Sequence, residues 1–292
     1  MRFIKNLFRI NEISNTTKQN IQKANKNHKG LLKECLQENI KIVKETLGES
    51  SDIVIREFHA GEGGKFHLGV MYTDGLADKK LVQDFILEAL MLDLRKIDID
   101  SSVLLKKNSF EILKDLVLPV GEMKEISDFD NFFTHLLSGN TVILMDGYGK
   151  GLVVNSRGWE ERGVQEPSSQ TVVRGPKDGF TETLRINTAL IRRRIKDPNL
   201  WIETKPIGRR TKTDVAVVYI KEVANDKIVE EVHKRLDNID IDGILESGYI
   251  EELIQDETFT PFPTMINTER PDIVAAGLSV KYPNSPGRNS GE

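Results

Sequence analysis

The chain has 292 residues, 38% of them hydrophobic and 29% charged, with a net charge of −4. That length can bury one large core or two small ones, and the composition is that of a soluble globular protein. The acidic balance excludes a molecule built to coat nucleic acid, and the lone cysteine, Cys35, excludes an intrachain disulfide. No apolar run reaches the ~18–20 residues that span a bilayer. The start, MRFIKNLFRI, is too short and too interrupted by charge for a signal-peptide core.

Residues 1–30 are rich in Lys, Arg, Asn, Thr and Gln, with Glu12 as the single acid. They cannot bury enough apolar surface to offset their ordering entropy, so a disordered basic arm is expected. Such an arm is either a solvated tail or is drawn to an anionic lipid surface. Apolar spacing of three and four predicts a helix over 31–47, with Cys35 as a small packed residue. SDIVIREFHAGEGGKFHLGVMYTDG reads as a hairpin around a Gly-rich turn. Residues 77–95 form the strongest helix pattern, with Leu81, Phe85, Ala89 and Leu92 as its stripe, thickened by Val82, Ile86 and Leu90. After a mixed segment come a helix near 128–138 and a second hairpin, TVILMDGYGKGLVVNS. The similar segments LDLRKIDIDSSVLL and LDNIDIDGIL read as a recurring way to stop one helix and cap the next, not as a duplication.

Composition shifts over 156–170, where a linker is expected. Beyond it the pattern predicts a strand (171–174), a helix (180–195), strands at 199–207 and 213–222, and helices at 226–238 and 247–256. Asp226 suits the N-cap of a helix whose buried stripe is Ile228, Val232 and Leu236. The fold class is α/β: two small α/β subdomains with mixed sheets, at 31–160 and 161–257. An extended connector follows at 258–277, and a disordered, non-native tail at 278–292.

The loop Arg174-Gly175-Pro176-Lys177-Asp178-Gly179 precedes a helix N-terminus, where free N–H groups favour anions. It matches no phosphate-loop fingerprint, and its glycines equally suit a tight turn or a docking surface. Asn187 falls on the same helical stripe as Phe180, Leu184, Ile191 and Ile195. Its amide either ties the helix to nearby backbone or lines a pocket. Arg185, Arg192 and Lys196 share the opposite, polar face, a solvated surface or a contact for an acidic partner or lipid head groups. The arginines lack interleaved aromatic residues, so nucleic acid is not expected.

No catalytic site is indicated, and an enzyme is not expected. The chain has no G-x-S-x-G, and Cys35 carries no catalytic signature. His59 and His67 can face each other across the first hairpin with Glu57 and Glu62 nearby, but no H-E-x-x-H or C-x-x-C accompanies them. Paired imidazoles, without a metal or a cofactor, are the expectation.

Three stretches carry a resemblance: EPSSQTVVRGPKDGFTETLRINTALIRRRIKDPNL (166–200), IDIDGILESGYIEELIQD (239–256) and PFPTMINTERPD (261–272). Together they resemble the soluble N-terminal domain of the A subunit of GerA-type nutrient germinant receptors of spore-forming bacteria, over roughly residues 30–277. The resemblance implies two small α/β subdomains ahead of transmembrane helices. It implies a place at the spore inner membrane, with this domain on the cytoplasmic (spore core) side. The implied partners are B and C subunits and other A subunits in an oligomer. The implied role is nutrient sensing, assembly and signal transmission to ion release. Arg174, Gly175, Pro176, Gly179, Phe180, Glu182 and Asn187 match the family's RGP…GF.E….N pattern, and Thr268, Glu269, Arg270, Pro271 and Asp272 its TERPD motif. Both are expected to dock subunits or pass the signal. An alternative is a nutrient or anion held in the cleft between the subdomains. After about Gly277 the family continues into a hydrophobic stretch, whereas this chain ends in polar SVKYPNSPGRNSGE.

Overall fold

The computed structural model describes residues 30–88, 90–91, 109–117, 122–158, 174–256, 260 and 264–280. The basic arm at 1–29, most of the expected linker and strand (159–173) and the tail beyond 280 lie outside the described residues.

The first unit is built on a five-stranded antiparallel sheet of order β1-β2-β4-β5-β3. The strands are β1 (Ile53–Ala60), β2 (Phe66–Thr73), β3 (Met123–Ile126), β4 (Thr141–Met145) and β5 (Gly151–Val154). Strand side chains alternate between faces. Leu68, Val70, Tyr72, Ile143, Met145, Leu152 and Val154 therefore enter one core, while Met71, Val142, Leu144 and Val153 enter the other. Both faces of β2, β4 and β5 are covered, which is why these strands read as continuous apolar runs. Helices α1 (Leu36–Leu47) and α3 (Phe129–Leu136) cover the second face. A π-helical segment (Leu81–Leu87) and α2 (Ser109–Val117) cover the first.

Both hairpins form as expected. The helix near 128–138 also forms, started by Asp128, whose carboxylate accepts from the Asn131 amide at 2.8 Å. Other details differ. In the 81–91 segment Val82, Ile86 and Leu90 are fully buried and Leu81 only partly so. The wider i→i+5 winding keeps residues four apart in line. Cys35 is exposed, because it is the N-cap residue of α1 and the buried stripe begins one position later at Leu36. The expected linker starts too early: Ser156 is buried, its hydroxyl sharing a hydrogen bond of 2.7 Å with that of Thr141.

The second unit pairs β6 (Leu200–Ile207) with β7 (Thr213–Ile220). At one end α4 (Leu184–Arg194) and α7 (Pro271–Leu278) share a small core of Ile191, Leu200 and Ile220, joined by Phe180, Val274 and Leu278. At the other, α5 (Asp226–Asp237) and α6 (Ser247–Ile254) pack around Ile207, Leu236 and Ile244. The α/β class holds, and every described strand pair is antiparallel where mixed sheets were expected. The N-cap of α5 is Asn225, whose side chain accepts from the Lys227 amide at 3.0 Å; Asp226 is the first helical residue. Ile228, expected in the buried stripe, is 63% exposed, two turns before Leu236, which reaches the core. Residues 271–277, expected as extended connector, and Leu278, expected in the disordered tail, are helical: Pro271 occupies the first helical position, where its fixed φ and missing N–H cost nothing.

Candidate functional site

The two motifs singled out in the sequence meet. The backbone N–H of Phe180 donates to the carbonyl of Glu269 at 2.7 Å. The Phe180 ring packs with Ile191 of α4 and with Val274 and Leu278 of α7. Within the first motif, Arg174, Gly175, Pro176 and Glu182 are exposed and Gly179 is buried. Gly175 has φ 139°, a region open to glycine. Asp178 pairs with Arg194 at the end of α4, closing the loop onto its own helix. Asn187 donates through Nδ2 to the Thr181 carbonyl at 2.6 Å and accepts from the Thr181 amide at 2.7 Å. Of its two expected roles, the tie to backbone is the one formed.

Within the second motif, the Thr268 hydroxyl accepts from the Arg270 amide at 3.1 Å. Arg270 folds forward onto Asp272 in two hydrogen bonds, Nε to Oδ1 at 3.1 Å and Nη2 to Oδ2 at 2.5 Å. That guanidinium holds the Asp272 carboxyl below the usual carboxylate range. Pro271 is buried.

The other side of α4 is fixed to the first unit. Arg192, expected on a polar face, is completely buried. Its Nε and Nη2 reach the two oxygens of Asp52 at 2.8 and 2.9 Å, and Nη1 donates to the Leu200 carbonyl at 2.9 Å. Asp52 stands at the entry to β1, so the pair joins the two units. One turn earlier Ala189 lies against the turn after β2. A Cβ built on Gly75, at φ 83°, would come within 2.8 Å of Ala189 Cβ, so only glycine lets α4 approach this closely. Arg185 adds an ion pair to Asp74 at 2.9 Å.

A second line of contact runs between α1 and β6. The Ser51 amide donates to the Ile202 carbonyl at 2.8 Å, and the Ile202 amide to the Ser50 hydroxyl at 3.0 Å. Trp201 donates from Nε1 to the Thr46 carbonyl at 3.1 Å, and its ring covers Gly48, the left-handed C-cap of α1 at φ 62°. Beside it lies an open groove of about 800 Å³, lined by Lys41, Lys44 and Glu45 of α1 and by Trp201, Glu203 and Thr204 of β6. None of the sequence-predicted residues lines it. Glu203 is already engaged, accepting from the Tyr219 hydroxyl at 2.5 Å and lying 3.2 Å from His233 Nε2. Burial, with this hydrogen bond second, raises the Tyr219 pKa.

The family model described as Bacillus/Clostridium GerA spore germination protein matches residues 41–280. The chain belongs to the GerA spore germination family. It is 43% identical over 248 residues to spore germination protein KA of Bacillus subtilis, covering 85% of this chain and 44% of the relative. It is 37% identical to the B. subtilis protein described as uncharacterized membrane protein YfkQ, covering 83% of this chain and 45% of that one. This GerA-family chain thus spans about half the length of the curated relatives it matches. A solved structure, the N-terminal domain of the A subunit of the Bacillus megaterium spore germinant receptor GerK3, superposes with TM-score 0.65 at 41% identity. The match covers 86% of this chain and 89% of that one. Among the described residues no helix is long and apolar enough to cross a membrane.

Proposed function

We infer that the chain acts as the N-terminal domain of a germinant-receptor A subunit, taking part in nutrient sensing, receptor assembly and signal transmission to ion release. The observation that carries this reading is the join of the two motifs through the Phe180–Glu269 hydrogen bond of 2.7 Å. From there α4 continues to the buried Arg192–Asp52 pair. One rigid helix is thereby fastened to the first unit at one face and to α7 at the other, so displacement of either end is carried to the other. The domain performs no turnover. It works at the spore inner membrane, on the core side, with B and C subunits and other A subunits. The naming of YfkQ as a membrane protein, and the half-length match to it, support the membrane setting.

Replacing Arg174 or Arg270 by Ala tests the reading in spores. The expected result is slowed or lost germination through this receptor at unchanged receptor abundance. Normal germination at normal abundance would remove these residues from the signal path. A second reading, a small nutrient or anion held between the units, is favoured by the groove between α1 and β6. Calorimetric titration with amino acids, sugars and potassium salts tests it, and the heat should vanish in Lys44→Ala if the groove is the site.

A further inference from the structure

We propose that the outward face of α6 is a docking site for the chain's own basic N-terminal stretch, residues 1–10. Half of α6 is apolar, and its apolar residues point two ways. Ile250 and Ile254 pack inward beside Ile207, Leu236 and Ile244. Tyr249 and Leu253, one turn apart, stay 40% and 45% exposed, and Leu245 just before the helix is 79% exposed. No residue of α6 is fully buried. A helix that is apolar on both sides belongs in an interior or beneath a partner.

Charge decides what the partner is. Glu246 and Glu252, three residues to either side of Tyr249, are exposed along the same stripe. No lysine or arginine occurs over 236–269. The bases that bound this stretch, Arg235 and Arg270, are engaged with Glu231, Asp256 and Asp272. Such a face repels an anionic lipid surface and a second copy of itself. It fits a basic segment whose apolar residues recur at helical spacing. Residues 1–10, MRFIKNLFRI, have that pattern: Phe3, Ile4, Leu7 and Phe8 are spaced by one, three and four, Arg2, Lys5 and Arg9 lie among them, and no acid precedes Glu12. Wound as a helix on the site, the four apolar residues share one side with basic flanks, the complement of Leu245, Tyr249 and Leu253 between Glu246 and Glu252. The tether is long enough. About 20 residues separate Ile10 from Gly30 and reach roughly 65–70 Å when extended, against a radius of gyration of about 19 Å for a chain of this length. Tethering also raises the effective concentration of the arm, so weak docking suffices. The arm, read from sequence as a solvated tail or a lipid-drawn segment, thereby gains a protein face of its own chain.

Carbodiimide coupling of the full chain, read by peptide mass spectrometry, tests the proposal, because it joins an amine to a carboxylate only where the two touch. Lys5 should couple to Glu246 or Glu252 within the monomer, and the yield should fall in high salt. Leu7→Asp/Phe8→Asp leaves the Lys5 amine in place and should abolish the link, because the apolar side of the arm is lost. Leu253→Lys, on the exposed side of α6, should abolish it from the other partner. Circular dichroism checks that each variant folds, and the arm variant lies outside the packed units. Absence of any link from Lys5 to α6, a link found only between two copies, or a link that survives the arm variant overturns the site.

Discussion

Replacing Arg192 by Met is the perturbation whose cost the structure sets most clearly. Arg192 is 0% and Asp52 6% exposed, and two hydrogen bonds of 2.8 and 2.9 Å join them. Met retains the stem but removes the guanidinium, leaving a buried carboxylate and the Leu200 carbonyl without their donors. Breaking a buried pair from one side costs about 3–5 kcal/mol. For a chain of this size that lowers Tm by about 6–20 °C, at 2–4 °C per kcal/mol. Taking both charges away should be far cheaper, because no orphan remains: Arg192→Met/Asp52→Leu should recover at least ~2 kcal/mol of the single-variant loss. Urea denaturation of the wild type, both single variants and the double variant gives the cycle. A single-variant loss below ~1 kcal/mol, or a double-variant loss equal to the sum of the singles, would refute the claim that this pair locks the units.

Gly48→Ala forces a side chain into left-handed backbone and brings its Cβ to 2.0 Å from the Trp201 ring. A loss of at least ~1–2 kcal/mol is expected, together with a change in tryptophan fluorescence. Asn187→Ala removes the side-chain bonds to Thr181 and should cost about 1–3 kcal/mol, read as a lower urea midpoint. The Asp272 carboxyl titrates below its ordinary value because Arg270 bonds the charged form. Its contribution to stability is therefore complete above the unfolded pKa of about 3.9 and is lost as pH falls through the lower folded value. The stability gap between wild type and Asp272→Asn should be full at neutral pH and close in acid; a gap independent of pH contradicts the pairing. Thermal melts from neutral pH down to ~2.5 decide it.

The hairpins and the apolar runs of β2, β4 and β5 were legible because a strand's period of two is a local signal. The short edge strand β3, MKEI, was not, since its burial comes from pairing with β5. Arg192 reads from sequence as part of a polar face, solvated or open to an acidic partner or lipid head groups, because basic residues in the last turn of a helix suit such a face. Its partner Asp52 lies 140 residues away and leaves no trace in the local pattern. The prolines of 258–277 point to an extended connector, yet proline at the first helical position followed by Asp272 is also a helix start. The RGP…GF and TERPD stretches were legible only through resemblance. Their meeting across the Phe180–Glu269 hydrogen bond could not be read from either stretch alone. The groove beside Trp201 depends on how α1 and β6 approach, which periodicity does not encode.

Hydrogen exchange of Arg192→Met against wild type, followed by mass spectrometry under native conditions, tests most directly whether α4 couples the first unit to α7. Arg192 makes its bonds to Asp52 and the Leu200 carbonyl, not to α7. The account predicts faster exchange at β6 and also across Pro271–Leu278, while β4 in the centre of the first sheet keeps its protection. Loss of protection confined to the neighbourhood of Asp52 and Leu200, with Pro271–Leu278 unchanged, would contradict the coupling.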